Sequence, residues 1–269
     1  MGMHMCTKNC FRPPKFHLLA LTSVTLLHLA GCGTTSYIPI AHQEYDSPDV
    51  PGKNKVYAAA MISSGTKVTT IKDNRAMPPI SSGSDFSETN SAYLKLGYGL
   101  FDRIEVSGNT PYNFKAKWQF LGSPMNQAVA NEFLGSVYYK YEYYKNNVRD
   151  DDINIFGNTQ TITESEMTGN IRGIGLSLGY RLDLDNTIYL RGLNAQYSLD
   201  SKITQDTASN TPTIYKYTHS GTQKVATLGF RNMRESHWFW GFEVSRSNTE
   251  LGARHHSSTG AGIYFGRKS

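Results

Sequence analysis

The feature that most constrains this chain is an alternation of apolar and polar residues, with a period of two, that recurs along most of its length. It is clearest in 172–182, where Ile174, Leu176 and Leu178 share one face and the residues between them are glycine and serine. The same alternation recurs at 92–100, 113–120 and 238–245. Successive side chains of a β-strand point to opposite faces, so the pattern predicts strands with one apolar and one polar face.

Composition agrees with a β-rich chain. The 269 residues include 17 Tyr and 12 Phe, which are residue types that favour strands. After residue 32 no stretch of 18 apolar residues occurs, which excludes a membrane protein built of helices. The alternation predicts ten strands, near 54–64, 91–100, 103–110, 112–121, 128–144, 165–182, 187–199, 213–231, 237–249 and 257–266. The first of them is also compatible with a helix over 57–61.

The connections between these strands alternate in length. Short ones are predicted at 101–102, 122–127, 183–186 and 232–236, and most of the others are longer and polar, such as 65–90 and 145–164. Short turns on the periplasmic side and longer outer loops are typical of transmembrane barrels. Ten residues at ~3.3 Å each, tilted by ~40°, climb roughly 25 Å, which matches the apolar band of such barrels.

Alternation alone does not say which face points inward. A soluble barrel or sandwich would bury the leucine and tryptophan face and expose the lysines. Three features favour the opposite: glycines on the polar face leave room inside a narrow barrel, the turns are asymmetric, and Trp118, Trp238 and Trp240 need no polar partner at a lipid interface. We therefore predict an all-β fold, an antiparallel up-and-down transmembrane β-barrel of about ten strands (8–12), over residues 54–269.

In this pattern the chain resembles the small bacterial outer-membrane β-barrels. The closing residues 261–265 (Ala-Gly-Ile-Tyr-Phe) are similar to the aromatic-ended last strand read by the barrel-assembly machinery, although four further residues follow them. The resemblance implies an outer-membrane location in a Gram-negative bacterium. It also implies contact with outer-membrane lipid and lipopolysaccharide. It carries no catalytic motif and says nothing of the oligomeric state.

The N-terminus has the features of a targeting signal. Lys8, Arg12 and Lys15 precede a mostly apolar stretch at 16–31, which ends in Leu-Ala-Gly-Cys at Cys32. This ending resembles the lipobox of bacterial lipoproteins. The resemblance implies removal of residues 1–31, lipidation of Cys32 and handling by the lipoprotein-sorting machinery. Residues 32–53 are then expected to be a lipidated N-terminus and periplasmic tether, and Gly33 after the cysteine favours the outer membrane.

Charge excludes one class of partner. The formal net charge is +5, and removal of the three basic residues of the signal leaves +2, which is too weak for nucleic-acid binding. On the inward face we expect nine basic and three acidic residues: Lys95, Arg103, Glu105, Lys115, Lys117, Lys140, Glu142, Arg172, Arg191, Lys224, Arg231 and Glu243. Either these charges pair across neighbouring strands and fill the lumen, or their positive excess lines a narrow path that favours anions.

Candidate chemistry is sparse. The pair His255 and Ser257 faintly resembles the histidine–serine pair of the outer-membrane lipid A deacylases, but nothing acidic follows Ser258, whereas that family needs a downstream acidic residue. His219, His255 and His256 have no metal-ligand spacing, so we expect no metal, and no cofactor motif is present. The acidic run at 149–152 is expected to be a solvated loop.

These observations favour a non-enzymatic outer-membrane lipoprotein with a structural or surface-interaction role, with a narrow anion-favouring pore as a subsidiary hypothesis. Two alternatives stay open. One is a lipid-anchored periplasmic protein whose soluble β-barrel binds an apolar ligand. The other is a small barrel enzyme that acts on envelope lipid through His255 and Ser257.

Overall fold

A computed structural model describes residues 37–41, 43–70, 84–109, 113–154, 159–207, 211–233, 237–251 and 254–269. Eleven strands lie in these ranges: β1 (Tyr37–Ala41), β2 (Val56–Thr70), β3 (Ser84–Phe101), β4 (Ile104–Asn109), β5 (Asn113–Leu121), β6 (Glu132–Asn154), β7 (Thr159–Arg181), β8 (Asn186–Thr207), β9 (Thr213–Met233), β10 (Trp238–Leu251) and β11 (Arg254–Lys268). A single-turn 3₁₀ helix occupies Met125–Gln127, and within the described ranges no helix is long and apolar enough to cross a membrane.

Strands β2 to β11 form a closed antiparallel barrel. Each pairs with its neighbours in the chain, and β2 also pairs with β11, which closes the sheet into a ring. The register followed from Tyr57 through β3 to β10 arrives at His256 in β11, whereas the direct partner of Tyr57 in β11 is Lys268. This stagger of 12 residues corresponds to a strand tilt of about 40°. The predicted ten-stranded antiparallel barrel is confirmed.

The two ends of the barrel differ. At one end, here called the base, β2 begins, β11 ends, and short connections join β3 to β4 and β7 to β8. At the other, the extended end, β6 to β9 reach lengths of 21–23 residues. Much of the predicted loop 145–164 is therefore strand, because backbone pairing between β6 and β7 continues to Asn154 and Thr159 after the apolar alternation stops. The helical alternative for 57–61 is wrong, since these residues pair with β3 and β11.

The N-terminal part of the described chain runs through the barrel. Strand β1 pairs with Gly65–Thr69 in the outer half of β2, far from the base. Residues 43–52, here called the lumen segment, are all buried and descend inside the barrel before the chain enters β2 at Val56. The sequence predicts a periplasmic tether for residues 32–53. The structure instead makes a strand of 37–41 and buries 43–52 inside the ring.

Glycines on the inner face make room for aromatic rings. In five directly paired positions a tyrosine ring of one strand lies across a glycine of its neighbour: Tyr57–Gly97, Tyr138–Gly175, Tyr189–Gly229, Tyr197–Gly221 and Tyr264–Gly241. A Cβ added at Gly97 would lie 2.1 Å from Cε1 of Tyr57. The sequence predicts that inward glycines, Gly97 and Gly175 among them, make room for long charged side chains, whereas the structure places tyrosine rings over these two.

Candidate functional site: the occupied lumen and the apolar outer wall

The outer wall of the barrel is apolar around its circumference. Large hydrophobic side chains on most strands are 40–68% exposed, among them Leu94, Leu96, Trp118, Phe133, Ile174, Leu178, Leu190, Leu228, Trp240, Phe242, Ile263 and Phe265. The leucine-and-tryptophan face thus points outward, as the sequence predicts. Near the base, Trp238 stacks on Phe265 at 5.0 Å between ring centroids, and Arg267 lies over Trp238. An exposed apolar surface of this extent needs a covering that is not water.

Nine of the twelve predicted lumen charges point inward and are buried: Lys95, Glu105, Lys115, Lys117, Lys140, Glu142, Arg191, Arg231 and Glu243. The other three do not point inward: Arg103, Arg172 and Lys224 are exposed. Arg103 is exposed in the turn between β3 and β4. Arg172 is exposed because it shares the outward face with Ile174, two residues away. Lys224 is exposed for the same reason, because it lies on the same outward face of β9 as Leu228.

Four buried charges in the lumen were not predicted. Arg181, at the base end of β7, is fully buried, as are Glu44, Asp46 and Asp49 of the lumen segment. Among the described residues, the buried charges of the barrel wall are seven basic and three acidic, so the three carboxylates of the lumen segment offset most of the positive excess. The sequence contains a feature that could have indicated this pairing: three closely spaced acidic residues, Glu44, Asp46 and Asp49, precede strands whose inward face is predicted to be strongly basic.

At mid-height, two carboxylates of the lumen segment meet a group of lysines. Asp46 pairs with Lys95 at 3.3 Å, Lys115 at 3.0 Å and Lys117 at 2.9 Å. Glu44 pairs with Lys115 at 2.7 Å and with Lys140 at 2.8 Å. All of these groups are buried. Charges removed from water are tolerated only where they are paired, so the lumen segment and the wall depend on each other.

Glu243 of β10 holds the backbone of the lumen segment. Its carboxylate accepts hydrogen bonds from the backbone N–H groups of Glu44, Tyr45 and Asp46 at 3.1–3.2 Å. The same carboxylate accepts a hydrogen bond from the Tyr189 hydroxyl at 2.8 Å and one from Arg191 at 3.2 Å. Hydrogen bonds to an ionised acceptor are stronger than neutral ones. This one side chain therefore fixes the direction in which the segment crosses the barrel.

Towards the base, Asp49 lies between two arginines. Arg231 donates to both carboxylate oxygens, at 2.5 Å and 2.6 Å, and Arg181 donates to one at 3.0 Å. Next to it, the Val50 N–H donates to Oε1 of Gln119 at 3.0 Å, and the Val50 carbonyl accepts from the N–H of Met125 at 2.8 Å. The lower end of the segment is thereby bound to four elements of the barrel.

Towards the extended end, the contacts change from polar to apolar. Gln43 hydrogen-bonds Ser63, Ser64 and Ser245. Above it, Ile40 of β1 belongs to a buried cluster together with Val68, Tyr144, Met167, Ile171, Tyr197 and Leu199. Apolar packing thus closes the lumen above the charged layer.

Little space remains beside residues 45–47 of the lumen segment. A cavity next to Tyr45, Asp46 and Ser47, bordered by Lys117 and Arg231, has a volume of about 20 Å³. Such a volume holds about one water molecule. At this level the lumen is filled by paired charges and rings.

The candidate catalytic and metal-binding residues lie outside this site. His255 is exposed, with Nδ1 3.7 Å from Oε1 of Glu250, which lies upstream of it in the chain, and Ser257 is also exposed. His256 stacks on Phe86 at 5.4 Å between ring centroids. Within the described residues no group of three histidine, cysteine or acidic side chains could hold a metal ion. Cys32 and the side chains of 149–152 lie outside the described residues.

Comparison with known proteins gives distant likenesses of structure. No family model matches the chain, and no curated protein matches it. Among solved structures, Ail, the attachment invasion locus protein of Yersinia pestis, aligns with 9% identity and a TM-score of 0.32 over 81% of this chain and 99% of that one. The outer membrane channel DcaP of Acinetobacter baumannii aligns with 7% identity and a TM-score of 0.21 over 89% and 99%. TM-scores this low do not establish a shared function.

Proposed function

We propose that this protein is an outer-membrane β-barrel whose lumen is closed by its own N-terminal segment, with a structural and surface-interaction role rather than an enzymatic one. The observation that carries the proposal is the combination of an apolar outer wall with a charged lumen in which Glu44, Asp46 and Asp49 are paired. A soluble barrel that binds an apolar ligand has the opposite polarity, with its apolar face inside.

The extended end supports the surface role. Strands β6 to β9, with 21–23 residues at ~3.3 Å each and a tilt of ~40°, climb roughly 55 Å, about twice the ~25 Å apolar band of a membrane barrel. The upper half then stands outside the membrane as a four-stranded sheet. Most of its outward side chains are polar, for example Lys145 and Glu166, which pair at 2.9 Å. This sheet is the surface that we propose for partners and for lipopolysaccharide.

The lipid anchor belongs to the same proposal. Tyr37 pairs with Thr69, thirteen residues beyond Val56, and so lies roughly 33 Å above the base. Cys32 precedes Tyr37 by five residues, which span at most about 18 Å. The described chain therefore starts on the side of the extended end, and we propose that a lipid anchor at Cys32 belongs to the outer leaflet. This differs from the sequence-based expectation, in which the lipidated end enters at the short turns.

Labelling of single cysteines in intact cells tests the topology. With a membrane-impermeant maleimide, Thr35→Cys is expected to be labelled on the cell surface, and Leu184→Cys, in the short β7–β8 connection, only after lysis. The two variants differ only in the position of the cysteine and are labelled with the same reagent. Surface labelling of position 184 instead of 35 would overturn the orientation. Recovery of the protein in the soluble periplasmic fraction, without heat-modifiable gel migration, would overturn the barrel proposal itself.

A second candidate function rests on the charge of the wall. Without the lumen segment, the described wall carries seven buried basic and three buried acidic side chains, an environment that favours anions. Displacement of the segment would then open a narrow anion path. The double variant Glu44→Gln, Asp46→Asn is expected to give anion-selective steps in planar bilayers where the unaltered protein gives none. If the double variant still shows heat-modifiable migration but gives no conductance steps, the anion path is ruled out. Cation-selective steps would also rule it out.

A further inference from the structure

The outer wall contains a depression between β7 and β10. One cross-strand row there runs from Leu176 through Gly192 and Ala226 to Arg246, each residue paired directly with the next. Gly192 and Ala226 face outward and are exposed. A Cβ built on Gly192 meets no atom within 4 Å. A large outward side chain would fit at this position without disturbing the barrel.

The neighbouring side chains make this depression a groove. It has a volume of about 590 Å³, within the range of small-molecule sites. Its walls are almost wholly aliphatic: Leu176, Leu178, Leu190, Leu228 and Val244. Leu190 is 62% exposed and Leu228 51%. The shape and lining suit a flexible hydrocarbon chain that lies along the wall.

Cations border the groove on the side of the extended end. In β10 the outward residues are Trp240, Phe242 and Val244, and Arg246 is the first charge after them. On β9, Lys224 follows Ala226 in the same direction, and on β7, Arg172 follows Ile174. Arg172, Lys224 and Arg246 are all exposed.

This arrangement matches the change in polarity across a membrane leaflet. The apolar run on each of the three strands ends at a cation, at the level where acyl chains give way to headgroups. Arg172 on β7 and Arg246 on β10 are three strands apart, about 14 Å at ~4.8 Å per strand, and four residues apart along the strands, about 13 Å at ~3.3 Å each, so they are separated by about 20 Å over the wall. Cations spread over that distance complement a lipid that carries more than one phosphate.

We propose that this groove is a binding site for lipid A, with one acyl chain between Leu190 and Leu228 and a phosphate paired with Arg246. Lys224 and Arg172 receive the remaining negative charge. The inference rests on the proposed outer-membrane location, since lipid A occupies the outer leaflet. The aliphatic walls bind the chain by burial of apolar surface, and the arginine adds a charge-assisted hydrogen bond that a zwitterionic lipid satisfies less well.

Native mass spectrometry of the full protein, extracted from outer membranes in mild detergent, tests the site. Lipid A is expected to stay bound to the unaltered protein. Gly192→Leu, which fills the groove, and Arg246→Gln, which removes the charge, are each expected to lower the bound fraction about tenfold. The matched controls are Ala60→Leu, an outward residue on β2, and Arg103→Gln, a cation at the base. Both are expected to retain lipid A at the original level.

The outcomes separate this inference from the proposed function. Retention of lipid A by Gly192→Leu and Arg246→Gln at the original level overturns the site, and so does equal retention of a zwitterionic phospholipid. A change of oligomeric state in Gly192→Leu also overturns it, because the groove would then hold a second copy of the chain. All of these results require protein that fractionates with the outer membrane and shows heat-modifiable migration. Loss of those two properties in the unaltered chain contradicts the proposed function instead.

Discussion

Asp49 and Arg231 form a bidentate ion pair inside the barrel, with Nη1 2.5 Å from Oδ1 and Nη2 2.6 Å from Oδ2. The pair joins the lumen segment to β9, and Arg181 of β7 binds the same carboxylate. The lumen segment and two strands of the barrel thus depend on one buried aspartate. Removing one partner leaves the other charge buried without compensation, which is more costly than never having had the pair.

The first prediction follows from this pair. Asp49→Asn is expected to lower the free energy of unfolding by about 3–5 kcal/mol, because Arg231 and Arg181 lose their shared carboxylate. The measurement is the urea midpoint of heat-modifiable migration. Asp102→Asn, at an exposed turn, is the control and is expected to change little. Equal midpoints for the two variants would show that the buried pair is not what stabilises the segment.

The second prediction concerns the ring-over-glycine pairs. Gly97→Ala places a Cβ 2.1 Å from the Tyr57 ring, and displacement of that ring breaks its 2.6 Å hydrogen bond to Glu105. We expect destabilisation of about 1–3 kcal/mol, as for other overpacked sites. Gly192→Ala is the matched control, since its Cβ meets open space. A Gly97→Ala barrel as resistant to urea as the Gly192→Ala barrel would contradict the steric argument.

The third prediction is a pH dependence at the base. Asp183 accepts hydrogen bonds from the side chain of Asn186 and from the backbone N–H groups of Asp185 and Asn186, and these lower the pKa of the Asp183 carboxyl. A lowered folded-state pKa contributes stability above the ordinary aspartate pKa. That contribution is lost as the pH falls through the lowered value.

The measurement compares Asp183→Ala with the unaltered protein. At neutral pH the variant is expected to unfold at lower urea, and the difference is expected to shrink as the pH falls below about 4. Asp185→Ala, which keeps the Asp183 contacts to Asn186, serves as control. A difference between the midpoints that stays constant down to the acid limit would refute the linkage.

The fourth prediction concerns the enzymatic alternative. The separation of 3.7 Å between His255 and Glu250 is longer than a hydrogen bond, and both side chains are exposed to solvent. Ser257→Ala and His255→Ala are therefore expected to leave the lipid profile of the envelope unchanged. Mass spectrometry of extracted lipid is the measurement. Loss of a deacylated lipid A species in both variants would favour the enzyme.

The local sequence pattern was sufficient to predict the barrel, but it was not sufficient to predict which residues fill the lumen. Strand alternation depends on neighbours along the chain, so Ile174, Leu176 and Leu178 could be assigned to the outer wall from sequence alone. The same parity rule, applied strictly, puts Arg172 and Lys224 outside as well. Both lie beyond the end of the apolar run of their strands, where a charge on the outer face stays in contact with water.

The lumen segment could not be predicted in this way. Glu44 and Asp46 have no periodic apolar partner nearby, and their burial depends on lysines that follow them by about 50–95 positions. Long-range complementarity of charge has no local signature. The ends of β6 to β9 were missed for a related reason, because polar residues there continue the backbone ladder after the hydrophobic pattern has ended.

The course of residues 43–52 has a consequence for how the molecule is made. Residues 43–52 are all buried inside the ring, so a ring that closed first would have to admit ten residues, three of them acidic, into its interior afterwards. We therefore expect residues 43–52 to be in place before β2 and β11 pair and close the ring.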